Sequence, residues 1–527
     1  MHPILQEVPT PDSPESLAGV LRSEPGRVLL RSALFESPQS RYSFVAARPF
    51  LTFRSFGSRC ELTAEGRTVV QFGDPWRVLG DLMARYELLD EPDLPFPLGG
   101  CFGYFGYDLK NFVEPKLSRR GVHDLEWPDC HVGFYDSLVA FDHALDKTWI
   151  VSTGLATDGS RSDERARAQA SNWCNVLEQA IGTPPGPAPE SAIRNPQSAI
   201  DLDSASHVSR SALEPGSVSH SAFRVPRSAF EAGSNFTRAD FLAAVERAQR
   251  YIRAGDIYQV NLSQRLAAPF AGSGWQLFER LLDLSPAPFA AYLDCGDFEL
   301  ASSSPELFLR LSGAHIRTRP IKGTRPRDAD PTRDAQLTYE LQTSPKEMAE
   351  LVMITDLLRN DLGRVCEFGS VQVPELVRLE RFAQVQHLVS TVEGHLRPDV
   401  SHFAALAACF PGGSVTGAPK FRAMEIIDEL EPTARGPYTG ALGYLGFNRE
   451  SQLSIIIRTA ICREGWAWFP VGAGIVADSD PAAEYDETLA KGRGFLAALD
   501  LRAGQPAPSF RCSMRPQGKN PTKTHEP

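Results

Sequence analysis

The feature that most limits this fold is a change of composition between Gly182 and Asn235, where Pro, Ser, Ala and Gly take over. Such a stretch has too few large apolar side chains to bury a core of its own. It carries a near-repeat: Ser191-Ala192-Ile193-Arg194-Asn195-Pro196 returns 30 residues later as Ser221-Ala222-Phe223-Arg224-Val225-Pro226. Two copies are too few to stack into a solenoid. Residues 183–235 therefore read as an inserted, disordered linker, and regular structure must come from the blocks 1–182 and 236–501. The remaining residues, 502–527, are polar, basic and proline-bearing, and read as an unstructured tail.

At 527 residues the chain is too long for one ordinary core. A net charge of −11 and a pI near 5.6 argue against a sequence-independent nucleic-acid binder. An anionic substrate would then need a locally positive pocket. The nine cysteines are odd in number and form no Cys-x-x-Cys pair, which excludes a disulfide framework or a zinc ribbon. Met1 to Ser23 show no basic segment followed by an apolar core, and no apolar run nears the ~20 residues of a membrane helix. The expectation is a cytoplasmic enzyme without membrane or nucleic-acid partners.

In the first block, Val28-Leu29-Leu30 and Tyr42 to Ala46 read as strands, and Trp76 to Tyr86 as a helix. Gly99 to Asp108 alternates glycine with aromatics, which suits a strand where backbones approach closely. Its aromatic content and the nearby Pro115 speak against a dinucleotide loop. In the second block, Thr237 reads as the N-cap of a helix through Ala254, with Asp240 at N3.

Glu347 to Asp361 has helical period, with Leu351, Ile354 and Leu358 as its apolar stripe and Glu347 and Glu350 at the edge. A second helix starts at Asp480-Pro481, a favoured N-cap and N1 pair. Its Glu484 and Glu487 are three apart and project the same way. Two helices presenting paired carboxylates can hold a hard cation such as Mg²⁺ through oxygen. The alternative is glutamates that face water or pair with Lys346 and Lys491. Between Arg319 and Arg327 a single lysine, Lys322, directly precedes Gly323 in a β-rich, arginine-dense run. By itself such a lysine is ordinarily solvated.

Several segments together resemble the catalytic block of the chorismate-utilising enzymes. They are Asp256 to Arg265; Ser304-Pro305-Glu306; Pro320-Ile321-Lys322-Gly323-Thr324; Asp356 to Cys366; Gln386 to Ser390; Pro411 to Lys420; Ile457-Arg458-Thr459-Ala460; and Gly472-Ala473-Gly474-Ile475. They follow the family's order from about Thr237 to Leu501. Phe35-Glu36-Ser37 and the glycine–aromatic run resemble the family's first domain. The resemblance implies an α+β fold with an antiparallel β-sandwich core flanked by helices.

The resemblance also implies site roles. Glu350 and Glu487, with Glu484 beside them, stand at metal-ligand positions for Mg²⁺. Arg458 and Tyr438 would hold the enolpyruvyl carboxylate, with Gly472, Ala473, Gly474, Thr324 and Ser414 as further substrate contacts. The other reading of Arg458 is a strand-end salt bridge. The Gly412 to Lys420 segment is not a Walker loop, because Ala418-Pro419 separates the last glycine from Lys420.

Lys322 stands where anthranilate synthases carry alanine, and is similar to the nucleophile position of aminodeoxychorismate synthases. An amine attacks only when neutral, a form that burial or neighbouring cations favour. Arg319, Arg325, Arg327 and Mg²⁺ are the expected neighbours. Glu306 would transfer a proton and His387 would approach the departing hydroxyl, unless His387 is a packed core histidine. Gln259 occupies the strand where isochorismate and salicylate synthases place a lysine base, which disfavours attack by water. Gly99-Gly100-Cys101-Phe102-Gly103 spells Gly-x-Cys-x-Gly but lies in the glycine–aromatic strand rather than in a nucleophile elbow, so ammonia is expected from a separate glutaminase subunit (component II) or from ammonium. The implied reaction is Mg²⁺-dependent amination of chorismate to 4-amino-4-deoxychorismate, toward 4-aminobenzoate and folate. The rival is the component I reaction of anthranilate synthase, toward tryptophan. A silent chorismate- or tryptophan-binding paralogue is the non-enzymatic alternative.

Overall fold

The computed structural model describes residues 2–32, 41–89, 91, 94–182, 233–382 and 385–499. The expected linker up to residue 232, the tail and Phe35-Glu36-Ser37 lie outside the described residues. The end of the assigned linker is ordered: Gly233–Ser234 forms a short strand against Leu266 and Ala267.

The described strands form two 12-stranded sheets with antiparallel pairing, eleven strands of each in one continuous order, with Gly417–Ala418 added on Gln259–Pro269 and Gln372–Arg381 on Val385–His395. In the first, Ile4–Val8, Lys147–Ser152, Ser137–Asp142, Tyr42–Ala46 and Val28–Arg31 are followed by strands of the second block. Those are Phe289–Asp294, Glu299–Ser304, Thr459–Arg463, Trp466–Ile475, Gln259–Pro269 and Gly233–Ser234. The second sheet runs Ile321–Pro326, Val385–His395, His315–Arg319, Leu307–Ser312, Glu450–Ile455 and Ala441–Gly446. It continues into Gly100–Phe105, Cys130–Tyr135, Leu51–Phe56, Arg59–Ala64 and Arg67–Phe72. The two blocks therefore share both sheets.

At the seam of the second sheet Gly103 lies opposite Gly443, with φ of 152° and 155°. A Cβ on Gly103 would sit 2.2 Å from the His131 carbonyl oxygen. This close approach is the physical reason for the alternation of glycine and aromatic residues.

Between the sheets, Phe44 and Leu300 of the first share one apolar core with Phe53, Phe102, Leu309 and Tyr444 of the second. The architecture is the expected α+β sandwich flanked by helices. Helices Pro14–Val20, Asp163–Gly182, Gly274–Leu284 and Pro481–Ala498 bury Leu17, Trp173, Phe278 and Phe495 against the outer face of the first sheet. Arg238–Arg253 and Lys420–Leu430 pack on Val260 and Leu262.

Helix Pro345–Gly363 starts at Ser344, whose side chain accepts from Glu347 N–H, and buries Leu351, Ile354 and Leu358. Thr237 and Asp480 cap their helices as expected, accepting from Asp240 N–H and Ala483 N–H. The eight described cysteines are free. Among the described residues no helix is long and apolar enough to cross a membrane.

Candidate active site

Lys322 lies in the strand Ile321–Pro326, opposite Leu388 of Val385–His395, while Thr324 lies opposite His387. The register shifts between the two because Gly323 is inserted as a bulge with φ of 67°. A Cβ at that glycine would stand 2.7 Å from Leu341 Cδ1. A bulge re-aims the flanking side chains. Lys322 and Thr324 thereby both line a cavity of about 640 Å³.

The same cavity collects Glu306, Glu350, His387, Ser414, Tyr438, Arg458, Gly472, Gly474, Glu484 and Glu487. Of the site residues read from the sequence, Ala473 alone is not on its wall. The pleat turns that side chain the other way, into the apolar cluster with Val260, Leu262 and Ile475. Asn261, Lys346 and Lys491 also line the cavity. No motif marks any of them as a substrate contact, although the alternation Gln259, Asn261, Ser263 places Asn261 on a defined face of its strand.

Glu350 comes from one helix, and Glu484 and Glu487 from another. Burial raises the Glu350 carboxyl, with Glu347 and Glu487 adding to it, while Lys322 and Lys346 oppose. Burial also raises Glu484, against the Ser479 hydroxyl that donates to it at 2.6 Å. Burial pushes Glu487 up too, but Lys491 at 2.8 Å and Lys346 outweigh it and hold this carboxyl below its usual range. Both readings of Glu487 are thus realised, since it lines the cavity and pairs with Lys491.

Carboxylates crowded together repel each other, and an all-oxygen donor set suits a hard divalent ion such as Mg²⁺. The residues fit that ion. A different group of potential ligands, Asp108, His123 and Asp129, brings its atoms within 4.8 Å of one another away from this cavity.

Glu306 is buried, and burial pushes its carboxyl up; the Ser414 hydroxyl, the Lys322 charge and the Ile321 N–H pull it only part of the way back. A carboxyl in this state retains a proton that an exposed one would lose. His387 Nδ1 lies 2.8 Å from Thr324 Oγ1. Burial and then the Arg458 charge push its imidazole down to about 4, so it is neutral near pH 7. Burial pushes the Tyr438 phenol up to about 12 and keeps it a proton donor.

Arg458 adopts a left-handed backbone, φ 51°, and its carbonyl accepts from Ser303 N–H at 2.8 Å. Its guanidinium makes no ion pair or hydrogen bond among the described residues, and burial lowers its pKa. The strand-end salt bridge is therefore not formed. A desolvated cation of this kind is a ready partner for an anion.

The arginines around Lys322 correct one expectation. Arg319 is buried and bonds Glu380 at 2.6 Å and Thr391 at 3.0 Å. Arg325 pairs with Glu347 at 3.4 Å, and Arg327 holds Asp334 through two bonds. Each is matched by its own carboxylate, so none is a free cation against the lysine. Lys420 bonds Asp361 at 2.6 Å and the Cys409 carbonyl at 3.0 Å, as befits a structural lysine rather than a Walker one.

Comparison with known proteins gives this cavity its context. The family model described as chorismate binding enzyme matches residues 31–497. The aminodeoxychorismate synthase component 1 of Klebsiella aerogenes is 38% identical over 93% of this chain and 97% of its own. The anthranilate synthase component 1 of Acetivibrio thermocellus is 36% identical over 90% of each. The crystal structure of anthranilate synthase component I from Streptococcus pneumoniae TIGR4 superposes with a TM-score of 0.69. It is 30% identical and covers 87% of this chain and 93% of that one. With motifs, sandwich and cavity in agreement, the chain belongs to the chorismate binding enzyme family.

Proposed function

We propose that this protein aminates chorismate at the carbon bearing the 4-hydroxyl, giving 4-amino-4-deoxychorismate for 4-aminobenzoate and folate synthesis. The observation that carries the reading is Lys322, which the Gly323 bulge directs into the cavity that also holds Glu306 and Arg458.

Chorismate is a dicarboxylate. Arg458 and Tyr438 would hold its enolpyruvyl carboxylate, and Gly472 and Gly474 allow backbone N–H groups close to an anion. Glu350, Glu484 and Glu487 would hold Mg²⁺, which supplies charge neutralisation and Lewis acidity at the ring carboxylate. The lone pair of Lys322 Nζ forms a bond to the conjugated ring, and the π electrons shift to expel the 4-hydroxyl. Glu306 donates its proton to that hydroxyl, which departs as water. Ammonia then bonds to the vacated carbon while the lysine–ring bond breaks and returns its electron pair to Nζ, and the resulting ring ammonium gives a proton back to the Glu306 carboxylate. The net change is ammonia in and water out. His387, neutral and bonded to Thr324, faces the reacting side as a hydrogen-bonding group.

Ammonia would come from a glutaminase subunit, a reading supported by the name component 1 borne by the relatives. The test is incubation with chorismate, Mg²⁺ and ammonium, with product mass and pyruvate measured. An aminated product that keeps its enolpyruvyl group is expected. Anthranilate with stoichiometric pyruvate would overturn the assignment.

A further inference from the structure

We infer that Arg435 is a positioning residue for the chorismate site, one that acts through the walls of the cavity without lining it. This inference rests on the reading of the cavity as that site. Arg435 is 5% exposed and its guanidinium uses all five of its N–H groups. Nε and one terminal nitrogen hold the two Glu431 oxygens at 2.8 and 2.6 Å. The remaining three bonds reach the Asn261 carbonyl at 2.7 Å, the Val415 carbonyl at 3.2 Å and Thr439 Oγ1 at 3.1 Å.

These acceptors belong to three separate segments of the cavity wall. Asn261 and Val415 line it directly, and Thr439 follows Tyr438. Thr439 is held at φ 60°, and its N–H donates to the Ile456 carbonyl at 2.8 Å, two residues before Arg458. Glu431 extends the network by accepting from Ser263 N–H and Oγ at 2.8 and 2.9 Å. Ser263 lies opposite Gly472. The guanidinium also stacks 4.7 Å from the Tyr107 ring and 5.7 Å from the Tyr438 ring.

One planar fork thus sets the distances among Asn261, Val415, Tyr438 and, through Ser263, the Gly472 strand. Lysine cannot replace it: three donors on a flexible stem leave buried acceptors unpaired and fix no plane. The chemistry needs orientation, and a misplacement of about 1 Å can cost on the order of 10²-fold in rate.

The first test is Arg435→Lys, assayed for chorismate turnover beside the wild type. A fall in kcat on the order of 10²-fold is expected, larger than the change in KM. Binding of Mn²⁺, read by electron paramagnetic resonance, should be unchanged, because none of the five bonds made by Arg435 goes to a glutamate helix. The second variant joins Arg435→Met to Glu431→Leu, since an apolar pair can replace a buried ion pair without loss of stability. Its melting temperature should match the wild type while turnover stays low. Wild-type kcat in Arg435→Lys, or recovery of turnover along with stability in the apolar pair, would overturn the inference. Failure of both variants to fold would overturn it too, because the residue would then serve the fold alone. The wild-type assay reads the functional proposal and the variant-to-wild-type ratio reads this one, so the two can fail separately.

Discussion

Lys491 Nζ lies 2.8 Å from a Glu487 carboxylate oxygen and also donates to the Gly472 carbonyl at 2.8 Å. One ammonium thus fastens a glutamate of the helix Pro481–Ala498 to the glycine strand.

The relationship makes Lys491 a competitor for the cation. Lys491→Met should lower the Mg²⁺ concentration for half-saturation, because Glu487 loses its internal counter-charge. Glu487→Gln should raise it by at least the ~10–100-fold that outer-shell changes cost. Calorimetric Mg²⁺ titration of the purified variants reads both, and equal affinities in all three proteins would remove Glu487 from the ligand set.

Lys322→Ala should abolish amination while the circular dichroism spectrum and melting temperature stay those of the wild type, since the side chain reaches into a cavity. Glu306→Gln should slow turnover by on the order of 10²–10⁴-fold, the usual contribution of a positioned proton donor. Product formation at the wild-type rate in Lys322→Ala would rule out its nucleophilic role.

His402 reports the pH dependence of stability. Its Nδ1 accepts from the Ser451 hydroxyl at 2.9 Å and its Nε2–H donates to the Gly313 carbonyl at 2.8 Å. Burial pushes the ring down to about 4, whereas the unfolded chain takes up a proton near ~6.5. The unfolded state therefore binds more protons between these values, and the contribution of His402 is lost as pH falls through that window. The gap in melting temperature between wild type and His402→Gln should shrink from pH 7 to pH 4. A constant gap would show that burial does not keep the ring neutral.

Gly103→Ala should destabilise the fold by roughly 3 kcal/mol, from a disfavoured φ together with a backbone clash. The opposing oxygen belongs to His131, whose own strand cannot move without disturbing its pairing with Leu51–Phe56. Chemical denaturation measures this, and a stability within experimental error of the wild type would show that the seam can relax.

Much of the local structure was legible before any tertiary contact was known. The caps at Thr237 and Asp480, the stripe Leu351, Ile354 and Leu358, and the i, i+3 glutamates follow from periodicity and from side chains that bond their own backbone. Such signals operate over one or two turns and need no distant partner. The motif order likewise carried the family, and with it the sandwich.

Residue order and spacing therefore supply a set of elements and the side chains each one offers. The packed molecule settles which of those side chains meet. It turned Ala473 into the core, matched Arg319, Arg325 and Arg327 with Glu380, Glu347 and Asp334, and left Arg458 without an ion pair or hydrogen bond among the described residues. It also wove both blocks into shared sheets and gathered five acceptors around Arg435. The reason is one of range. Propensity and periodicity are properties of neighbours along the chain, whereas which side chains meet is set by elements that fold back on one another, as Glu380 returns to Arg319 from 61 residues away and Asn261 to Arg435 from 174.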